Sequence, residues 1–165
     1  MLNKSNQGFT LIELLVVIVI LGALSSLILG NFFTSLKKGR DARRKGDLEQ
    51  IQRALEMYYE DKRLYPTQSP GSGFIFNGEF TDSGNVYMKK VPNDPTPGRD
   101  YKYVYDSTDN AYKIYTCLEN SQQILPYDTA LNPGGGYTCN TSCFAEDGKT
   151  QINCIWGVAS SNSTP

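Results

Sequence analysis

Four cysteines, Cys117, Cys139, Cys143 and Cys154, all lie in the last third of the 165-residue chain. An even number of thiols behind an apolar leader reads as two disulfides in an exported chain. Three connectivities are open: 117–139 with 143–154, 117–143 with 139–154, and 117–154 with 139–143. Zinc is disfavoured, because structural zinc draws on close CxxC-type pairs and none occurs. A two-residue turn at Gly148–Lys149 would set Cys143 opposite Cys154, with Cα atoms about 5 Å apart and inside disulfide reach. A turn at Asp147–Gly148 would put the two out of register. The first turn favours 117–139 with 143–154. The chain has no His, no Ser or Cys nucleophile beside a base and no phosphate-binding loop, so it is not expected to be an enzyme.

The other chemically pointed residue is Glu13. From Phe9 to Leu29 the chain is almost continuously apolar, with this single acid inside the run. The run exceeds the core of a secretory signal peptide, about 7–15 residues, and is long enough to cross a bilayer as a helix. An unpaired carboxylate in lipid costs roughly 2–4 kcal/mol, so a plain anchor would not carry one.

The stretch GFTLIELLVVIVILGAL resembles the N-terminal signature of type IV pilins and the related pseudopilins of type II secretion. The resemblance is strong over residues 5–66, weaker to about 105 and absent beyond. It implies that Met1–Gly8 is a leader cut by a prepilin peptidase at the Gly8/Phe9 junction, and that Phe9 becomes N-methylated. It also implies a role in assembly for Glu13, which would sit near the cationic amine of Phe9 in a neighbouring subunit, each charge offsetting the other's desolvation.

These residues need elements to hold them. Leu48, Ile51, Leu55 and Tyr58 or Tyr59 recur at three- and four-residue steps, which predicts that the helix continues as an amphipathic one. Pro66 ends it near Leu64. Gly22 and Gly30 mark a candidate weak point in the apolar half, with close packing through small residues as the alternative. Seven bases (Lys37, Lys38, Arg40, Arg43, Arg44, Lys45 and Arg53) crowd the next stretch. Their plain role is pairing with Asp41, Asp47 and Glu49; the sharper one is a patch for DNA or anionic surfaces. Under the positive-inside rule they oppose a head placed outside, whereas the cysteines require an oxidising compartment.

The stretch from Tyr65 to Asn85 reads as loop with a short strand at Phe74–Phe76. Tyr101–Tyr105 and Ala111–Leu118 alternate as strands around a DSTDN turn. The order of YP, KKVPNDP, YKYVYD and YKIYTCLEN resembles the head of major pseudopilins. In that resemblance Asp94, Asp100, Asp106 and Asp109 are candidate calcium ligands, although turn formation is the plainer role for these aspartates. SSNSTP reads as a frayed end.

The expected fold is α+β: a leader (1–8), a transmembrane or filament-core half-helix (9–30), an amphipathic half (31–64), and a β-rich head with a disulfide-bonded tail (65–165). The expected function is a structural pilin of a type IV pilus-like filament, a helical homo-oligomer. Its precursor would sit in the cytoplasmic membrane with the head outside, and the filament would be extracellular. The alternatives are a major pseudopilin of type II secretion and a minor or competence pilin that binds DNA.

Overall fold

The computed structural model describes residues 8–68 and 74–165, and omits the side chains of residues 27–30. It divides into two compact units at Leu36/Lys37. The first holds the beginning of helix α1 (Leu11–Lys62). Every described apolar side chain along it is exposed, from Leu36 at 43% to Leu11 at 82%. An apolar surface of this extent calls for lipid or other helices as cover. Among the described residues no single helix is long and apolar enough to cross a membrane. Leu11–Ser26 and Asn31–Lys62 meet that test only together. Helical backbone runs through Gly22 without a break. The side-chain surroundings of Gly30 lie outside the described residues.

The second unit begins inside the helix, so the amphipathic half belongs with the head. Its buried residues recur at helical steps: Asp41, Arg44, Leu48, Ile51, Leu55 and Tyr58. The apolar part of this stripe packs on Phe74, Phe80, Tyr103, Tyr112 and Ile114. Burying each Leu or Ile is worth about 1.5–3 kcal/mol, which holds the helix against the sheet. The helix ends at Lys62, two residues before the expected stop. Arg63 turns left-handed (φ 57°) and donates its amide to the Tyr59 carbonyl at 2.7 Å, an αL cap.

The central sheet is antiparallel in the order β3-β4-β7, from Lys102–Asp106, Ala111–Cys117 and Ile155–Ala159. The first two strands are the expected hairpin. Two small hairpins flank this sheet: β1 (Phe80–Asp82) with β2 (Asn85–Met88), and β5 (Ser142–Phe144) with β6 (Gln151–Asn153). The strand expected at Phe74–Phe76 is absent, because the chain turns there and Gly78 donates back to Ile75. A second, smaller core gathers Leu118, Leu125, Cys143 and Cys154. The tail is not frayed: Ser160 is buried, and the Asn162 amide donates to the Asp109 carbonyl at 3.0 Å.

Candidate functional site

The N-terminal signature forms a local structure. Thr10 stands just before α1 and Glu13 is its third residue. The Glu13 carboxylate accepts the Thr10 amide at 2.9 Å and the Thr10 hydroxyl at 2.7 Å, both at Oε2. In return the Glu13 amide donates to Thr10 Oγ1 at 3.3 Å. This is a capping box, which satisfies amides that the first helical turn leaves unpaired. The sequence reading missed Thr10, although the pattern T-x-x-E announces it. Phe9 is 87% exposed. Gly8 precedes the helix with open space around it, and the rest of the leader lies outside the described residues.

In the second unit Arg44 is the centre of the charge pattern. Its side chain is fully buried. It donates to Asp94 through two parallel bonds, Nε to Oδ2 at 2.8 Å and Nη2 to Oδ1 at 2.9 Å. Further bonds run to Asp41 at 2.9 Å, Thr96 at 2.8 Å and Glu119 at 2.6 Å. The planar fork of guanidinium suits this bidentate recognition. Asp41 in turn accepts the backbone amides of Glu119 and Asn120, which fixes the chain just beyond β4. Arg40 donates Nε to Glu119 at 3.0 Å. Hydrogen bonds from Arg40, then from Arg44, pull the Glu119 carboxyl down to about 2. The helix, the 93–100 loop and the end of β4 are thereby locked by one hub. This hub changes the reading of the basic stretch. Arg44 is inaccessible and Arg40 is paired, while Arg43 and Arg53 pair along the helix with Asp47 and Glu49. Lys45 lies over the Trp156 ring at 4.3 Å. Lys37 and Lys38 alone of the seven have no acid or ring partner among the described contacts.

The candidate calcium ligands do not converge. Asp94 and Asp100 line one cavity, Asp106 and Asp109 another. Asp94 is committed to Arg44, Asp100 accepts from Asn93 and Asp106 caps the Thr108 amide. Among the described residues no group of three acidic or cysteine side chains could hold a metal ion. The disulfides join Cys117 to Cys139 and Cys143 to Cys154, with Cα separations of 5.5 and 4.8 Å. The register behind the second differs from the expected one. Cys143 faces Ile152, the Asp147–Gly148 register, and the Cys154 amide donates to Thr141. The diagonal pair still meets because Cys154 lies where the chain passes from β6 to β7.

Comparison with known proteins bears on this arrangement. The prokaryotic N-terminal methylation motif matches residues 3–29. The family described as type II secretion system (T2SS), protein G, matches residues 31–123. The chain belongs to the type II secretion system protein G family. Core protein G of Vibrio cholerae is 31% identical over 127 residues, 73% of this chain and 85% of the relative. The Aeromonas hydrophila protein is 35% identical over 103 residues, 58% of this chain and 71% of the relative. That of Escherichia coli is 33% identical over 120 residues, 68% and 81%. No solved structure matches the chain. Protein G membership places the chain among structural subunits, not enzymes. It also favours the pseudopilin alternative over the type IV pilus subunit expected from the N-terminus, a signature the two groups share. The family match stops at residue 123, so Cys139, Cys143, Cys154 and strand β7 lie beyond it.

Proposed function

We propose that the chain is the major pseudopilin of a type II secretion system. After a prepilin peptidase cuts at Gly8/Phe9 and Phe9 is methylated, the subunit waits in the cytoplasmic membrane with its head outside. It then joins many copies of itself, and the secretion machinery, in a short helical filament. The observation that carries this reading is the exposed apolar first half of the helix, opened by Thr10 and Glu13 and joined to a protein G head. Such a surface is stable only under cover, first lipid and then other subunits. Glu13 contributes by charge. Its Oε2 takes both Thr10 contacts, and Oε1 has no bond among the described contacts, leaving it for the Phe9 amine of a neighbour.

The test is filament yield at matched membrane levels under overproduction. Glu13→Leu should insert and be cleaved, since Leu favours the bilayer more than an acid does, but should assemble few filaments. Wild-type yield from this variant would overturn the role of Glu13. Mass analysis should find the mature chain starting at a methylated Phe9, and Gly8→Val should block the cut. A start near Ser25 or Asn31 would establish an ordinary signal peptide instead.

A further inference from the structure

The two disulfides differ in what can reach them. Cys143 and Cys154 are 1% and 0% exposed and sit inside the second core. Cys117 and Cys139 are half-buried, and together they line an open cavity of about 330 Å³, with Tyr137 beside them. The two ends of this bond differ as well. Cys117 closes β4 between Thr116 and Leu118, both fully buried. Cys139 stands in a loop between Thr138 and Asn140, both exposed. We infer that Cys117–Cys139 is a thiol–disulfide exchange site, open in the folded head to a dithiol reductant while Cys143–Cys154 stays closed. A thiolate of the dithiol attacks Cys139 Sγ, the reachable end. A new S–S bond forms there and Cys117 leaves as a thiolate. The second thiol then breaks that mixed bond and releases Cys139. The dithiol ends as a disulfide, having given up two electrons, and its two protons end on Cys117 and Cys139.

What this bond holds in place is a cover. Lys102, Val104, Lys113 and Tyr115 lie on the face of the central sheet turned away from the helix, since Tyr103, Tyr112 and Ile114, which alternate with them, join the helix core. Residues 128–140 lie against this outer face. Asn132 and the buried Pro133 share a cavity with Val104, Lys113 and Tyr115, and a Cβ on Gly135 would stand 3.5 Å from Lys102 Nζ. Apart from contacts of the sulfur atoms, the hydrogen bonds of this segment to the rest of the head run, among the described residues, through Tyr137. Its hydroxyl donates to the Asp100 carbonyl at 3.3 Å and meets the Cys117 backbone. Opening the disulfide therefore leaves Tyr137 and the burial of Pro133 to hold the segment, and the β3 side of the face is uncovered. The Gly157 side stays covered, because Pro165 stands 3.2 Å from a Cβ placed on that glycine. The site needs only the folded head and does not rest on the pseudopilin reading.

The test treats the full chain, in detergent without denaturant, with dithiothreitol, quenches with N-ethylmaleimide and maps the labelled cysteines by peptide mass spectrometry. Cys117 and Cys139 should be labelled at least ~100-fold faster than Cys143 and Cys154, because the buried pair reacts only from opened molecules. Glutathione, used as a monothiol trap, should be found on Cys139. In the reduced protein, deuterium uptake over 128–140 and acetylation of the Lys102 amine should each rise at least about threefold, while β4 and β7 keep their protection. Cys117→Ser with Cys139→Ser should reproduce that pattern without reductant. Equal labelling of the two pairs, or Cys143 and Cys154 labelled first, overturns the site. Glutathione on Cys117 overturns the direction of attack. Selective reduction that leaves 128–140 and Lys102 unchanged overturns the cover, as does loss of protection throughout the sheet in the reduced wild type or the serine variant.

Discussion

Arg44 and Glu13 solve one problem, a charge in apolar surroundings, by different means. Arg44 is surrounded by three carboxylates of its own chain. Removing it leaves Asp41 and Asp94 buried without their cation, with Glu119 still held by Arg40, so Arg44→Met is expected to destabilise the head by about 3–5 kcal/mol, read from urea unfolding. Arg44→Lys keeps the charge but loses the fork, and should recover only part of that loss. Glu13 has its own chain's Thr10 as partner, which raises a sharper test. If capping is all that Glu13 does, Thr10→Val and Glu13→Leu should reduce filament yield alike. If it receives a neighbour's amine, Thr10→Val should assemble nearly as wild type, because a lost cap costs only about 0.5–2 kcal/mol. Glu13 was legible in sequence because a lone acid in an apolar run has no local excuse. The burial of Arg44 was not, since two of its partners come from 50 and 75 residues along the chain. Nothing local separates it from Arg43, which is largely exposed.

At the scale of elements, period decided what could be read. The helix stripe and the β3–β4 hairpin follow patterns of 3.6 and 2 residues. Strand β7 was hidden because Gly157 interrupts IWGVA and glycine weakens a strand reading. The structure supplies the reason for that glycine: an added Cβ would lie 2.8 Å from the Tyr115 ring. The pairing of Cys143 with Cys154 was expected for the wrong reason, as the hairpin alone sets them out of register. Sequence holds the hairpin but not the corner at Cys154. This disulfide lies in the second core, so Cys143→Ala with Cys154→Ala should cost about 2–5 kcal/mol. Chemical denaturation of the exported protein reads this, with a thiol assay confirming that wild type has none free. Unchanged stability would mean that the second core holds β5 and β6 without the link.

For the whole molecule, the hub makes stability depend on pH. The folded head holds the Glu119 carboxyl at about 2, against an ordinary 4.5. Below 4.5 the unfolded chain binds a proton that the folded one does not, so stability falls as pH drops from 4.5 toward 2. The loss should be at most about 3 kcal/mol, seen as a lower unfolding midpoint near pH 3 than near pH 6, and Glu119→Gln should flatten the profile. Fold class and the two-part plan were legible in composition. The border was not: it falls at Leu36/Lys37 within one continuous helix, where no turn residue marks it. The order β3-β4-β7 also has a consequence in time. Strand β4 is complete at Cys117, yet its second edge waits for residues 155–159. A chain emerging N-terminus first would thus expose half-finished sheet until nearly all of the head had been made. Cys143 and Cys154 could not close earlier, and Gln52 would lack the Ala159 carbonyl it holds at 2.8 Å. A head truncated before Ile155 therefore lacks one whole edge of its central sheet and the contacts that edge makes with the helix.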